Sequence, residues 1–123
     1  MYPLKKKQFI DDFTFFERST EASRIIKKFP DRIPIICEKN QRDTGTPNID
    51  KHKYLVPLDI TVGQFMYVIR KRLHLHSGDA IFLFVGNKHT IVPINTSMDQ
   101  VYNLFKNLDG FLYIIYSKEN VFG

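Results

Sequence analysis

Three times in this chain a Ser or Thr is followed three residues later by Glu or Gln: Thr14 with Glu17, Thr61 with Gln64, and Ser97 with Gln100. Each pair suits a helix N-terminus, where the hydroxyl accepts from the third helical amide and the longer side chain reaches back to the cap. An apolar stripe follows every one. After the first come Ala22, Ile25, Ile26 and Phe29 at i, i+3, i+4, i+7, stopped by Pro30. After the second, Val62, Phe65, Met66, Ile69 and Leu73 share one face, with Arg70, Lys71 and Arg72 left largely outside it. After the third come Met98, Val101, Tyr102 and Phe105, before the Asp109-Gly110 turn. Three amphipathic helices are therefore expected, with a shorter one over Gln8 to Phe13.

Runs rich in β-branched and aromatic residues fill the gaps: Ile33 to Glu38, Lys53 to Leu58, Ala80 to Val85 and Phe111 to Tyr116. The order helix, strand, strand, helix, strand, helix, strand describes an α+β layer packing with a mixed sheet. Asn40 to Asn48 reads as the loop between the first two strands, and Gly86 to Asn95 as a second irregular segment. At 123 residues and 43% hydrophobic, the chain can bury one core but not two. No apolar run approaches the roughly 20 residues that span a bilayer. The Lys5-Lys6-Lys7 run has no apolar segment behind it, so nothing resembles a secretory signal. A cytoplasmic location is expected, and the single Cys37, unable to close an intramolecular disulfide, fits a reducing compartment.

The residues of an enzyme are missing. His74 and His76 lie two apart near a helix end without a third ligand at a metal-site spacing, and read as solvated or capping side chains. Cys37 alternates with Ile33 and Ile35 and is expected to point into the core as a small hydrophobe. The six glycines are scattered at turns and helix starts, so no phosphate-cradling loop exists. The net charge of +5 favours acidic partners: nucleic acid, anionic lipid or acidic peptide. Basic motifs with interleaved aromatics are lacking, which argues against nucleic acid.

Arg32-Ile33-Pro34-Ile35-Ile36-Cys37-Glu38-Lys39, followed by Asp50-Lys51-His52-Lys53-Tyr54-Leu55-Val56-Pro57, resembles the autophagy ubiquitin-like modifiers, the GABARAP and microtubule-associated protein light chain three family. Thr61 to Phe65, Val68 to Arg72, Ala80 to Val85 and Asp109 to Tyr113 continue the resemblance, and Glu119-Asn120-Val121-Phe122-Gly123 ends it. It implies a ubiquitin-like β-grasp fold with two additional N-terminal helices. The expected division is a helical extension over 1–30, the β-grasp domain over 31–117 and a conjugation tail over 118–123. The Asn40 to Pro47 loop looks about one residue longer than in the family, Gly86 to Thr96 differs, and Lys5 to Lys7 matches nothing in it.

An edge strand offers unpaired amides and carbonyls to an extended peptide, and Lys53 to Val56 is a plausible docking edge, ended by Pro57. The resemblance implies an aromatic pocket with Glu21 and Ile25 from the helix, Pro34 and Ile36 from the first strand, and Lys53, Leu55 and Phe111. A second pocket, for an aliphatic residue three positions later in the ligand, would use Tyr54, Val56, Pro57, Ile60, Phe65 and Val68. Arg32, Lys51 and Arg72 would attract acidic flanking residues. Val62, Met66 and Ile69 are expected in the core. Pro34 removes a ladder donor, so it suits a strand start with its ring toward a pocket.

The resemblance also implies that Gly123 is activated and joined to the amine of phosphatidylethanolamine, the only covalent group expected; no cofactor or metal is. A glycine lacks the Cβ that would obstruct a narrow active site. The implied partners are activating and conjugating enzymes, a cysteine protease for delipidation and for maturation of any longer precursor, and cargo receptors or adaptors with aromatic-x-x-aliphatic motifs. The lipidated form would reside on autophagosomal or other vesicle membranes. The alternative is a non-conjugated ubiquitin-like adaptor of cytoskeleton or trafficking proteins.

Overall fold

The computed structural model describes residues 8–119. Helices α1 (Phe9–Asp12) and α2 (Phe15–Lys28) precede strands β1 (Arg32–Lys39) and β2 (Lys53–Pro57). Then follow α3 (Val62–Arg72), β3 (Phe82–Val85), α4 (Met98–Phe105) and β4 (Leu112–Ser117). The sheet order is β2-β1-β4-β3, antiparallel except for the central β1/β4 pair.

Two of the three capping signals form completely: Thr14 with Glu17 at α2 and Thr61 with Gln64 at α3. At α4 the Ser97 hydroxyl accepts from the Gln100 amide without a reciprocal bond. The starts of α3 and α4 lie side by side. Val62 and Gly63 donate to the carbonyls of Thr96 and Ile94, while Met98 and Asp99 donate to those of Ile60 and Leu58. Each helix thus uses the turn before the other to satisfy its first amides. Thr61→Ala, which removes the α3 cap, is expected to cost about 1 kcal/mol, measured by urea unfolding.

Strand alternation sends side chains to two different cores. Ile33, Ile35 and Cys37 of β1 and Leu112, Ile114 and Tyr116 of β4 pack with Val62, Phe65 and Ile69 of α3 and Met98 and Val101 of α4. Ile36, Phe111 and Tyr113 face the other way, against Phe9, Ala22 and Ile25 of the N-terminal helices. Burial pushes the Cys37 thiol pKa far up, consistent with a small core hydrophobe.

Some stretches depart from the periodicity. Ile26 and Phe29 are each 37% exposed, because the stripe that packs on the sheet runs through Arg18, Ala22 and Ile25 instead. The third strand begins at Phe82 rather than Ala80, its pairing with β4 running only from Phe82 to Val85. Pro34 sits inside β1 yet removes no ladder bond. The Cys37 amide donates toward β2, so the alternate position 34 faces the β4 side, where pairing begins only at Ile35.

Candidate peptide-docking site

Strand β2 is a sheet edge, paired only with β1 among the described strands, from Arg32↔Pro57 to Ile36↔Lys53. Its alternation is strict: Lys53 and Leu55 are exposed, Tyr54 and Val56 buried, Pro57 half-buried. Tyr54 and Val56 belong to the core beneath α3. Lys53 and Leu55 point to the α2 side, where the Lys53 ammonium pairs with Glu21 and lies 5.4 Å from the Phe9 ring centroid.

The two residue groups expected to form pockets therefore lie on opposite faces of the sheet, except that Pro57 falls at the parity of Leu55. On the α2 face, Leu55 is 37% exposed, while Ile25, Pro34, Ile36 and Phe111 are buried behind it. On the α3 face, Val68 is 42% exposed and Ile60 is half-buried; Phe65 is fully covered and meets Tyr54 edge-on at 5.6 Å between ring centroids, while the half-buried Pro57 has the parity of Lys53 and Leu55. Phe65, Ile36 and Phe111, expected as pocket lining, are core residues with almost no surface of their own.

Of the three cations expected beside the edge, Arg32 and Lys51 are exposed. Lys51 lies over the Tyr54 ring at 5.1 Å. Arg72 is held by Asp50, Nε to Oδ1 at 2.8 Å, so a ligand carboxylate must share that guanidinium. Gly123 and Lys5 to Lys7 lie outside the described residues.

Three features escaped the sequence reading. Phe9 packs edge-on against Phe111 at 5.4 Å, and its amide donates to Glu38 Oε2 at 2.9 Å. Between α1, the end of β1 and the 40–49 loop this leaves a cleft of about 900 Å³ that reaches the docking edge at Lys51, His52 and Lys53. The second is a buried ion pair, Arg18 Nη1 to Asp109 Oδ2 at 2.7 Å, with Tyr113 donating to the same oxygen at 2.6 Å. Arg18 also donates from Nε to the Phe13 carbonyl, tying both N-terminal helices to the turn before β4. Its signal was present: position 18 precedes Ala22 by four and Ile25 by seven, and an Arg on an apolar stripe needs a carboxylate. The turn itself approaches α2 so closely that a Cβ on Gly110, at φ +97°, would lie 3.0 Å from the Ala22 Cβ. The third is Asp43, on the loop beside the end of β4.

A mixed four-stranded sheet with two helices on one face, a two-helix N-terminal extension on the other and one edge strand open describes a ubiquitin-like α+β domain. Comparison with known proteins narrows the class. The family model described as autophagy protein Atg8, ubiquitin-like, matches residues 17–123. The autophagy-related protein 8 of Pichia angusta is 54% identical over 118 residues, spanning 96% of this chain and 92% of that protein. That of Schizosaccharomyces pombe is 52% identical over 118 residues, spanning 96% and 95%. The crystal structure of Trypanosoma brucei ATG8 matches with a TM-score of 0.82 and 40% identity, covering 92% of this chain and 95% of that one. The chain belongs to the Atg8 family of autophagy ubiquitin-like proteins. The function that goes with membership is that of a modifier conjugated to phosphatidylethanolamine, not that of an enzyme.

Proposed function

We propose that Gly123 is the acyl donor for conjugation to phosphatidylethanolamine, and that the β2 edge then recruits cargo receptors and adaptors through aromatic-x-x-aliphatic motifs. In this reading residues 1–30 and 31–117 form the docking body and 118–123 the conjugation tail. Activating and conjugating enzymes supply the nucleophilic cysteines, and a cysteine protease releases the lipid. Two acyl chains give stable attachment to autophagosomal or other vesicle membranes, where one gives only marginal binding.

The observation that supports the docking half is the alternation along β2, which puts Leu55 on one face of the edge and Tyr54 and Val56 on the other. Side chains alternate along an extended peptide, so residues three apart point to opposite faces. A ligand added to β2 would thus send an aromatic residue toward Leu55 and α2 and an aliphatic one toward Val68 and α3. Arg32, Lys51 and Arg72 supply positive charge for acidic flanks.

Reconstitution with the family's activating and conjugating enzymes and phosphatidylethanolamine vesicles tests the conjugation half, read as a lipidated gel band. A chain that binds peptide but is never lipidated would be a non-conjugated adaptor. For the docking half, Leu55→Ala should weaken a Trp-x-x-Leu peptide roughly tenfold, through loss of about 1–2 kcal/mol of apolar contact. Because Leu55 is partly exposed, the domain stays folded. Titration calorimetry showing undiminished affinity rejects the pocket.

A further inference from the structure

The tail's point of departure is built by a loop 75 residues earlier in the chain. Lys118 is the first residue past β4, and its backbone amide donates to Asp43 Oδ2 at 2.9 Å. The Thr46 hydroxyl donates to the same oxygen, and the amides of Gly45 and Thr46 donate to Oδ1 at 2.9 and 3.1 Å. One residue further on, the Glu119 amide donates to the Ser117 hydroxyl, which itself lies 3.5 Å from Asp43 Oδ2.

Asp43 is only 6% exposed and forms no ion pair among the described residues. Burial works against its charge, but the donors from Thr46, Lys118 and Gly45 outweigh it and hold the carboxyl down at about 2. The carboxylate is thus charged throughout the physiological range, and its bonds are charge-assisted. The loop that carries it is fastened to the last strand. Asn40 donates to the Tyr116 carbonyl, and the buried Tyr116 hydroxyl accepts from the Ile49 amide and donates to the Pro47 carbonyl. The end of the Lys118 side chain lies against Gly45.

We propose that Asp43 is the positioning residue of the conjugation tail, gripping the chain where it leaves the sheet and so setting the direction in which Gly123 is presented to the activating enzyme. The inference rests on the reading of Gly123 as acyl donor. Gly123 is five residues further along the chain than Lys118, a reach of at most about 17–18 Å. With the first link fixed, less freedom is lost when the activating enzyme takes the terminus, an economy that appears in binding rather than in chemistry.

The test is charging of the full chain by the activating enzyme over a range of chain concentrations. Asp43→Ala should raise KM about tenfold, the equivalent of one or two lost hydrogen bonds, with kcat unchanged. Hydrogen exchange at the Lys118 amide should accelerate while Ile114 stays protected, and affinity for a Trp-x-x-Leu peptide should not move. A purely structural role would lower the active fraction and hence apparent kcat, leaving KM alone. Should the Ala variant lose its fold, Asp43→Asn, which keeps the shape and loses the charge, makes the same comparison with a smaller rise in KM. Wild type charged normally together with an unchanged KM in the folded variant, or an unchanged Lys118 exchange rate, overturns the clamp alone. Failure of the wild type to charge overturns the Gly123 reading, and the clamp's role falls with it.

Discussion

Asp109→Ala is expected to be the most destabilising single change outside the apolar cores, at about 3–5 kcal/mol, because it leaves the Arg18 guanidinium buried without its counter-charge. The two side chains are 10% and 0% exposed. Asp109 also accepts the Phe111 amide at 2.8 Å and the Tyr113 hydroxyl, so one substitution orphans donors from both β4 and α2. For a domain of this size the loss corresponds to a Tm lower by roughly 10–20 °C. Arg18→Met in the same background removes the stranded charge and should recover part of the loss, the sign of coupling between the pair. Affinity at the docking edge should fall in parallel, since α2 supplies Glu21 and Ile25 to the aromatic side. Thermal and urea unfolding of the single and double variants check this; a loss below 1 kcal/mol for Asp109→Ala would show that apolar contacts alone hold the N-terminal helices.

How much of this was legible depended on whether the signal was local. The caps at Thr14 and Thr61 were, because a capping box is completed within four residues. The alternation of Lys53, Tyr54, Leu55 and Val56 was legible too, and it already separates the two faces of the docking edge. The wrong turn at Ile26 and Phe29 has a physical cause: a helix with apolar residues around much of its circumference admits more than one buried stripe, and the sheet selected the one containing Arg18. The partners of Arg18 and Asp43 lie 91 and 75 residues away. No periodicity encodes which loop comes to rest against which strand end, so those contacts appear only in the fold. The pocket residues entered through family resemblance; composition alone would have left Phe65 and Phe111 as core and Leu55 as an unremarked surface leucine.

Gly123→Ala should reduce charging by the activating enzyme on the order of a hundredfold, the upper range of what one added carbon achieves in an enclosed site. A terminal carboxylate is a poor electrophile, so its own oxygen must first attack the α-phosphorus of ATP, releasing pyrophosphate, to give an acyl adenylate; an enzyme thiolate then attacks the carbonyl carbon of residue 123 and AMP leaves, giving the thioester. That carbon passes through successive enzyme sites, and a methyl on the adjacent Cα narrows its approach in every one. Gly123 lies outside the described residues, and unfolding transitions and peptide affinity of the variant are expected to match the wild type. The loss would then belong to the chemistry of the tail. A reductant-sensitive gel shift reports the thioester directly, and lipidation should fall in proportion. Asp43→Ala differs from it in kind: raising the concentration of the chain should restore its rate, because positioning is lost and the acyl carbon is intact, whereas no concentration should rescue Gly123→Ala. Normal charging of the Gly123 variant would place the acyl donor elsewhere or show that it does not need a glycine at 123.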